Sequence, residues 1–456
     1  MRLSFVFAPL ASLVVLSVAA CGGSESSGAP TDDTGIGTTD TFVDPDSGLP
    51  ETPDEDTGGP EVDNGAPSDV YPAPHPAFPT LTNAAGGDVL KTPKVYLTYY
   101  PGYEFGTQMQ TFAKNVGATG YWSKAVSEYG VGAITYVDTK ELTGETAPTD
   151  ISDKQIETFF ATKIAAGAFG TPDTNTIYTI FFPRTTTITL AGGGLGGSSK
   201  SCSSFGGYHS DVAVDVGGTT SNYAFAVLPT CASFGGMSAI DSLSGSLSHE
   251  WAEASTDPFP STNSGGDSTY SGVDNDHVIW NVLGGAENGD LCAQRGDAFF
   301  KSEVGFDFVV QSCWSNAAAK KGGDPCAPKF PGVYFNAAPV VSDKVSLDLS
   351  AFGGGSVLTK GVKIPKGTSS TIEIDLFSDA DTKGPFKVTA VDVIQRFAGG
   401  TSSMTFAWDR TQGVNGEKLH LTVTVTGSSP FGKAHPILLT STLGKITQTW
   451  PFLVSE

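Results

Sequence analysis

The stretch Ser248-His249-Glu250-Trp251-Ala252-Glu253-Ala254-Ser255-Thr256-Asp257-Pro258 brings one histidine and two glutamates together at helical spacing. On a helix, residues four apart sit one turn above one another. His249 and Glu253 can therefore offer a ring nitrogen and a carboxylate oxygen to one point, with Glu250 projecting beside them. That is the layout of a zincin helix, in which the outer pair holds zinc and the inner glutamate polarises a water. Here a glutamate replaces the second histidine, so HExxH has become HExxE. Carboxylate oxygen is an accepted zinc ligand. Glu250 is then the expected general base and zinc the expected cofactor. The alternative for the same residues is a solvated polar helix face carrying a His–Glu pair.

A helix must position them, and the sequence predicts one over residues 238–256, stopped by Pro258. At about 100° per residue, Ile240, Leu243, Leu247, Trp251 and Ala254 fall on one arc, which should pack on a core. His249 and Glu253 fall on another, flanked by Ser242, Gly245, Ser246 and Thr256. Ahead of this helix, strands and helices alternate. Residues 95–100, 133–137, 177–182, 211–216 and 223–228 read as strands. Residues 107–116 and 121–129 read as helices. Ser152 opens another with capping-box spacing to Gln155, and Ile156, Phe159, Phe160 and Ile164 form its stripe. The class is α/β (α+β), zincin-like, over residues 92–330. From Val345 the pattern changes to short alternating strands at 371–377, 386–394, 404–408, 421–426 and 436–441, with turns such as Asn415-Gly416. This predicts an all-β sandwich over 331–456, a separable module joined through residues 326–341.

The helix sequence and the later Glu287-Asn288-Gly289-Asp290-Leu291-Cys292 turn resemble the Exordium-type, phosphate-induced protein family and its bacterial relatives. Gly207-Tyr208-His209-Ser210 is similar to a Trp/Tyr-His-Ser segment in the same relatives, and the resemblance covers roughly residues 94–313. Ala286 stands where the family has Gly before the Glu. The resemblance implies a fold and a site more than a reaction. Zinc needs about three protein ligands and an open position. The family-like turn makes Glu287 the leading further metal ligand and His209 the second, with Asp290 orienting a ligand. Alternatively, Glu287 and Asp290 belong to a turn that positions Cys292 for a disulfide. Two functions fit: a surface-anchored, metal-dependent hydrolase of peptidase type, or a non-catalytic cell-surface binding or adhesion protein.

The address is read from the N-terminus. Residues 1–20 have the form of a secretory signal, with Arg2, an apolar run and Val18-Ala19-Ala20-Cys21 at its end. This resembles a lipoprotein lipobox, so Cys21 is expected to carry the lipid that holds the protein to a membrane, and Gly22 favours the outer membrane. Net charge is −22 over 456 residues. Thirteen acidic residues and no Lys or Arg lie between Gly22 and Val70, so residues 21–91 read as an acidic, disordered tether. With no basic patch, nucleic acid is excluded as a partner. A peptide or a cell-surface polymer is the expected substrate. The Gly-rich run 191–200 lacks a phosphate-loop ending and reads as a mobile loop. An exported chain forms disulfides. Spacing suggests Cys202–Cys231 and Cys292–Cys313, with Cys326 free.

Overall fold

Val95 and Leu97 alternate with Tyr96 and Thr98, and all four are buried. A strand buried on both faces belongs inside a sheet that is covered twice. The computed structural model describes residues 63–83, 86–193, 197–261, 268–283, 285–349, 355–398 and 401–456. In it this run is strand β1 (Lys94–Tyr99). It shares a five-stranded sheet with β2 (Thr135–Glu141), β3 (Thr176–Phe182), β4 (Tyr208–Val216) and β5 (Thr219–Pro229), in the order β2-β1-β3-β5-β4. Four strands are parallel, and β4 runs antiparallel to β5 at the edge.

Helices α1 (Gly106–Val116), α2 (Gly120–Val126) and α4 (Ala239–Thr256) cover one face, where Val95, Leu97, Ile177 and Phe181 point. Helix α3 (Asp153–Ala165) covers the other, over Tyr178, Ile180 and Phe225. The capping box at Ser152 and Gln155 is formed. Helix α4 begins where the Ser238 side chain accepts from Asp241 N. It ends at Thr256, since Asp257 leaves the helical region with φ −135°. Leu243, Leu247, Trp251 and Ala254 enter the core, as their arc predicts, and Trp251 Nε1 donates to Thr179 Oγ1 at 2.9 Å. The opposite side is not solvated. Every residue from Ser242 to Thr256 is buried, polar ones included.

The C-terminal half builds two largely antiparallel sheets. One orders Phe335–Pro339, Ser369–Ser378, Lys418–Val425 and Met404–Trp408. The other orders Val362–Lys363, Ile446–Ser455, Ala434–Leu443, Phe386–Asp392 and Gln412–Gly413. Ile374, Leu421 and Val423 of the first meet Ile437, Leu439 and Phe452 of the second in one core.

The residues expected to connect two modules include Phe335–Pro339, a fully buried strand of the first sheet. The core of these sheets also takes in Phe78, Trp280, Cys292 and Trp314, so the C-terminal sheets share their interior with earlier parts of the chain. The expected tether over 21–91 includes residues 63–83 and 86–91, which belong to the fold. Asn415 bonds Ser68 O, Val70 O and Ala73 N, and His75 stacks on Phe377 with 3.6 Å between centroids. Phe78 is packed against Trp280, Trp314 and Trp450. The acidic bias stops near Val70, and Ala73, Phe78 and Leu81 supply apolar surface that the acidic stretch lacks. Residues 1–62, with the signal and Cys21, lie outside the described residues.

Cys202–Cys231 is bonded as expected, but the second disulfide is Cys292–Cys326, and Cys313 is the free, buried thiol. Strand alternation explains the exchange. Cys313–Trp314 pairs with Cys326–Ala327 so that Trp314 faces Cys326 across the ladder. Paired residues share a face and neighbours oppose it. Cys326 therefore looks with Trp314 toward Cys292, while Cys313 looks into the core under α1, α2 and α4. The two bonds point to an oxidising compartment. No helix among the described residues is long and apolar enough to cross a membrane.

Candidate metal centre

Three segments close on the buried polar side of α4. The first is the start of β4, which carries His209 in register with Ala226 of β5. Gly207 makes its approach possible, because a Cβ there would lie 2.8 Å from Glu250 Oε1. The second is the turn at Glu287–Asp290. A Cβ on Gly289 would lie 2.6 Å from His249 Nδ1 and 2.8 Å from Glu253 Oε1, so only glycine lets this backbone lie against both side chains. Asp290 N donates to Glu253 Oε1 at 3.0 Å. The third is the strand Val310–Gln311, where Gln311 N donates to Ser248 Oγ at 2.9 Å.

The side chains gather in two groups that could each hold a metal ion. His249, Glu253 and Asp290 form one, and His209, Glu250 and Glu253 the other. His249 Nε2 lies 2.9 Å from Glu253 Oε2 and 3.8 Å from Asp290 Oδ1. His209 Nδ1 lies 3.5 Å from Glu250 Oε2 and 3.6 Å from Glu253 Oε2. Glu287 approaches the other side of the His209 ring, with Oε2 at 3.4 Å from Nε2. Side-chain exposure at these positions is 2% or less.

Gln311 decides the tautomer of His249. Its Nε2 donates to Gly289 O at 2.7 Å, and a carbonyl can only accept. Its Oε1 is therefore the atom facing His249 Nδ1, at 2.9 Å. Nδ1 must then carry the hydrogen, which leaves Nε2 free to ligate. Yet Nε2 and Glu253 Oε2, although 2.9 Å apart, make no hydrogen bond with each other or with any other group. Glu250 Oε2, His209 Nδ1 and both carboxylate oxygens of Asp290 are likewise buried without a hydrogen-bond partner. Such atoms cost about 1–3 kcal/mol each when nothing satisfies them. A cation at their common point would satisfy several at once. The nitrogen and oxygen donors present suit a first-row divalent ion.

The charges say the same. Burial pushes the Glu253 carboxyl well above its ordinary range, and Glu250 adds to it. Burial raises Glu287 strongly too, although His209 pulls it back. Asp290 is pushed up to about 8 by burial and by Glu253, and burial also raises Asp257. Burial works against a proton on His209, but Glu287 and Glu250 outweigh it and bring the ring up to about 9. The pocket thus retains protons wherever no other cation is bound.

Of the residues expected at a site, His209, His249, Glu250 and Glu253 meet here, and Glu287 reaches it through His209. Asp290, expected to orient a ligand, stands among the ligating groups themselves. Sequence reasoning missed Gln311, whose only signal is one amide in the run Val309-Val310-Gln311-Ser312-Cys313-Trp314. Asp274 binds Thr80 N and His277 Nδ1, which ties two chain segments together. The Gly-rich run forms part of a hairpin, Thr187–Gly193 with Gly197–Lys200, and residues 194–196 lie outside the described residues. No protein-family model matches the chain, and no curated protein matches it either.

Proposed function

We propose that this chain is an exported, surface-anchored, metal-dependent hydrolase of zincin type, acting on peptide bonds with zinc as its metal. The carrying observation is the buried pair His249 Nε2 and Glu253 Oε2, 2.9 Å apart with no hydrogen bond between them. His249, Glu253 and Asp290 hold the ion. A bound zinc supplies Lewis acidity at that point. Glu250 lies on the adjoining side of Glu253 and takes the proton of the attacking water. Glu287 and Asp257 O hold the His209 ring beside it, at 3.4 and 3.2 Å. A strand series followed by an HExxE helix supports the zincin comparison. The Exordium-type resemblance supports the same site, since its helix and its turn adjoin here. The signal-like N-terminus and Cys21 support a lipid anchor, and the two disulfides suit that address.

The near-complete burial of the site favours a second reading, a non-catalytic surface binding protein in which the metal is structural. Elemental analysis of metal-loaded chain, with turnover of a fluorogenic peptide library, separates the two. The hydrolase requires an ion at His249 and Glu253, and His249→Gln and Glu253→Gln should each lose the ion at that point. Glu250→Gln should keep the ion held by His249 yet lose turnover by on the order of 10²–10⁴-fold. Metal without turnover supports the binding protein. A chain that takes up no divalent ion refutes the metal site in both.

A further inference from the structure

The two ligand groups are not alternatives for one ion. They meet at a single atom, because Glu253 Oε2 is the oxygen that faces both His249 Nε2 and His209 Nδ1. The two histidines are prepared in the same way. His249 Nδ1 is held by Gln311 Oε1 at 2.9 Å, and His209 Nε2 by the carbonyl of Asp257 at 3.2 Å. A carbonyl only accepts, so His209 Nε2 carries a hydrogen and Nδ1 is the nitrogen left to ligate. That nitrogen and the facing oxygens of Glu250 and Glu253 are fully buried and have no hydrogen-bond partner. Atoms bound to one ion at about 2.0–2.2 Å lie roughly 3.3 Å from each other. The separations of 3.5 and 3.6 Å around His209 Nδ1 are close to that.

We propose that the centre holds two divalent cations bridged by Glu253 Oε2, one with His249 and Asp290, the other with His209 and Glu250. Charge favours the pair. Glu250, Glu253, Asp257, Glu287 and Asp290 are all buried, giving five negative charges when ionised. One dication leaves three of them uncompensated, and two leave one. Carboxylate-bridged pairs of this kind place their ions about 3.5–4 Å apart and serve hydrolytic reactions by stabilising both the attacking and the leaving oxygen. The proposal rests on the metal reading above and alters one role in it. With both ions bound Glu250 is a ligand, and its part as a free base belongs to the singly loaded chain.

The test uses the full chain, stripped with chelator and reloaded with Mn²⁺ alone, read by elemental analysis and electron paramagnetic resonance. Two ions per chain with an exchange-coupled spectrum are expected. His209→Gln should fall to one ion with an isolated-ion spectrum, and so should His249→Gln. Should His209→Gln not fold by circular dichroism, Glu250→Gln carries the same expectation. One ion in the wild-type chain, unchanged by His209→Gln or Glu250→Gln, overturns the second site and leaves the single-metal reading standing. No ion in the wild-type chain overturns both.

Discussion

Replacing Gln311 by Leu tests the tautomer argument without touching any ligand. The side chain is fully buried and its amide has two tasks, to accept from His249 Nδ1 at 2.9 Å and to donate to Gly289 O at 2.7 Å. Leu keeps most of the volume and removes both. Two buried groups then lose partners, at about 1–3 kcal/mol each. A separate cost falls on the metal, because His249 is no longer held with Nε2 toward Glu253 and Asp290. Loss of such a supporting hydrogen bond weakens metal binding by about 10–100-fold, or roughly 1.4–2.7 kcal/mol. The two costs are separable. Melting of the metal-free variant reads the first, and calorimetric titration of Zn²⁺ into metal-free wild type and variant reads the second. Gln311→Leu should lose stability in both states and lose more when metal is present, since binding to the folded state adds to stability. An unchanged zinc affinity would refute the claim that Gln311 fixes the ligating nitrogen.

Gly207→Ala should destabilise the chain by about 1–3 kcal/mol and weaken metal binding, because the new Cβ meets Glu250 Oε1 at 2.8 Å and Leu228 Cδ1 at 3.1 Å; a melt equal to wild type would show that β4 can move away. The metal-free chain should lose stability as pH rises from about 4 to about 8, since Asp290 titrates near 3.8 unfolded but at about 8 when buried. A group with a raised folded pKa stabilises below its unfolded value and loses that contribution as pH passes the folded one. His209, raised to about 9, acts in the same direction. Metal should remove this loss, so melting curves against pH with and without zinc must diverge toward alkaline pH. A fragment of residues 345–456 should not melt cooperatively, because it lacks the Phe335–Pro339 strand and the Phe78, Trp280 and Trp314 side chains that complete its core; a sharp melt would restore the separable module.

What was legible in the sequence was local. The α4 arc followed from 3.6-residue periodicity, which Leu243, Leu247, Trp251 and Ala254 obey without exception. The Ser152 capping box and the alternating strands of the C-terminal half were readable for the same reason, since each rule spans only a few residues. What the sequence hid depends on register between distant segments. Cys326 rather than Cys313 reaches Cys292 because of which residue opposes Trp314 across the ladder, and no spacing along the chain contains that. Burial of the polar side of α4 was equally hidden. Ser242, Ser246 and Glu253 read as a solvated face until β4, the 287–290 turn and Gln311 cover it. Asp290 was expected to orient a ligand from the family-like turn. Its backbone does orient Glu253, but its carboxylate also stands beside His249 Nε2.

The C-terminal sheets bear on the centre through the segment that follows Asp290. Arg295 is buried and bonds both Asp297 and Asp324, with its guanidinium 4.9 Å from the Tyr334 ring centroid. Gln448 Nε2 donates to Asp297 Oδ2 at 2.8 Å, and Gly296 N to Thr447 O at 2.9 Å, so the last hairpin grips this segment directly. The Cys292–Cys326 bond and the Trp314 N to Asn288 O hydrogen bond hold it from the other side. A buried ion-pair network of this kind adds little net stability, because desolvation offsets its attraction. What it does give is a fixed geometry. Gly289 must hold its backbone against His249 and Glu253 with no side chain to keep the distance, and a ligand set misplaced by about 1 Å loses much of its function. The C-terminal sheets thus act on the centre by holding the turn that brings Asp290 beside His249 and Glu253.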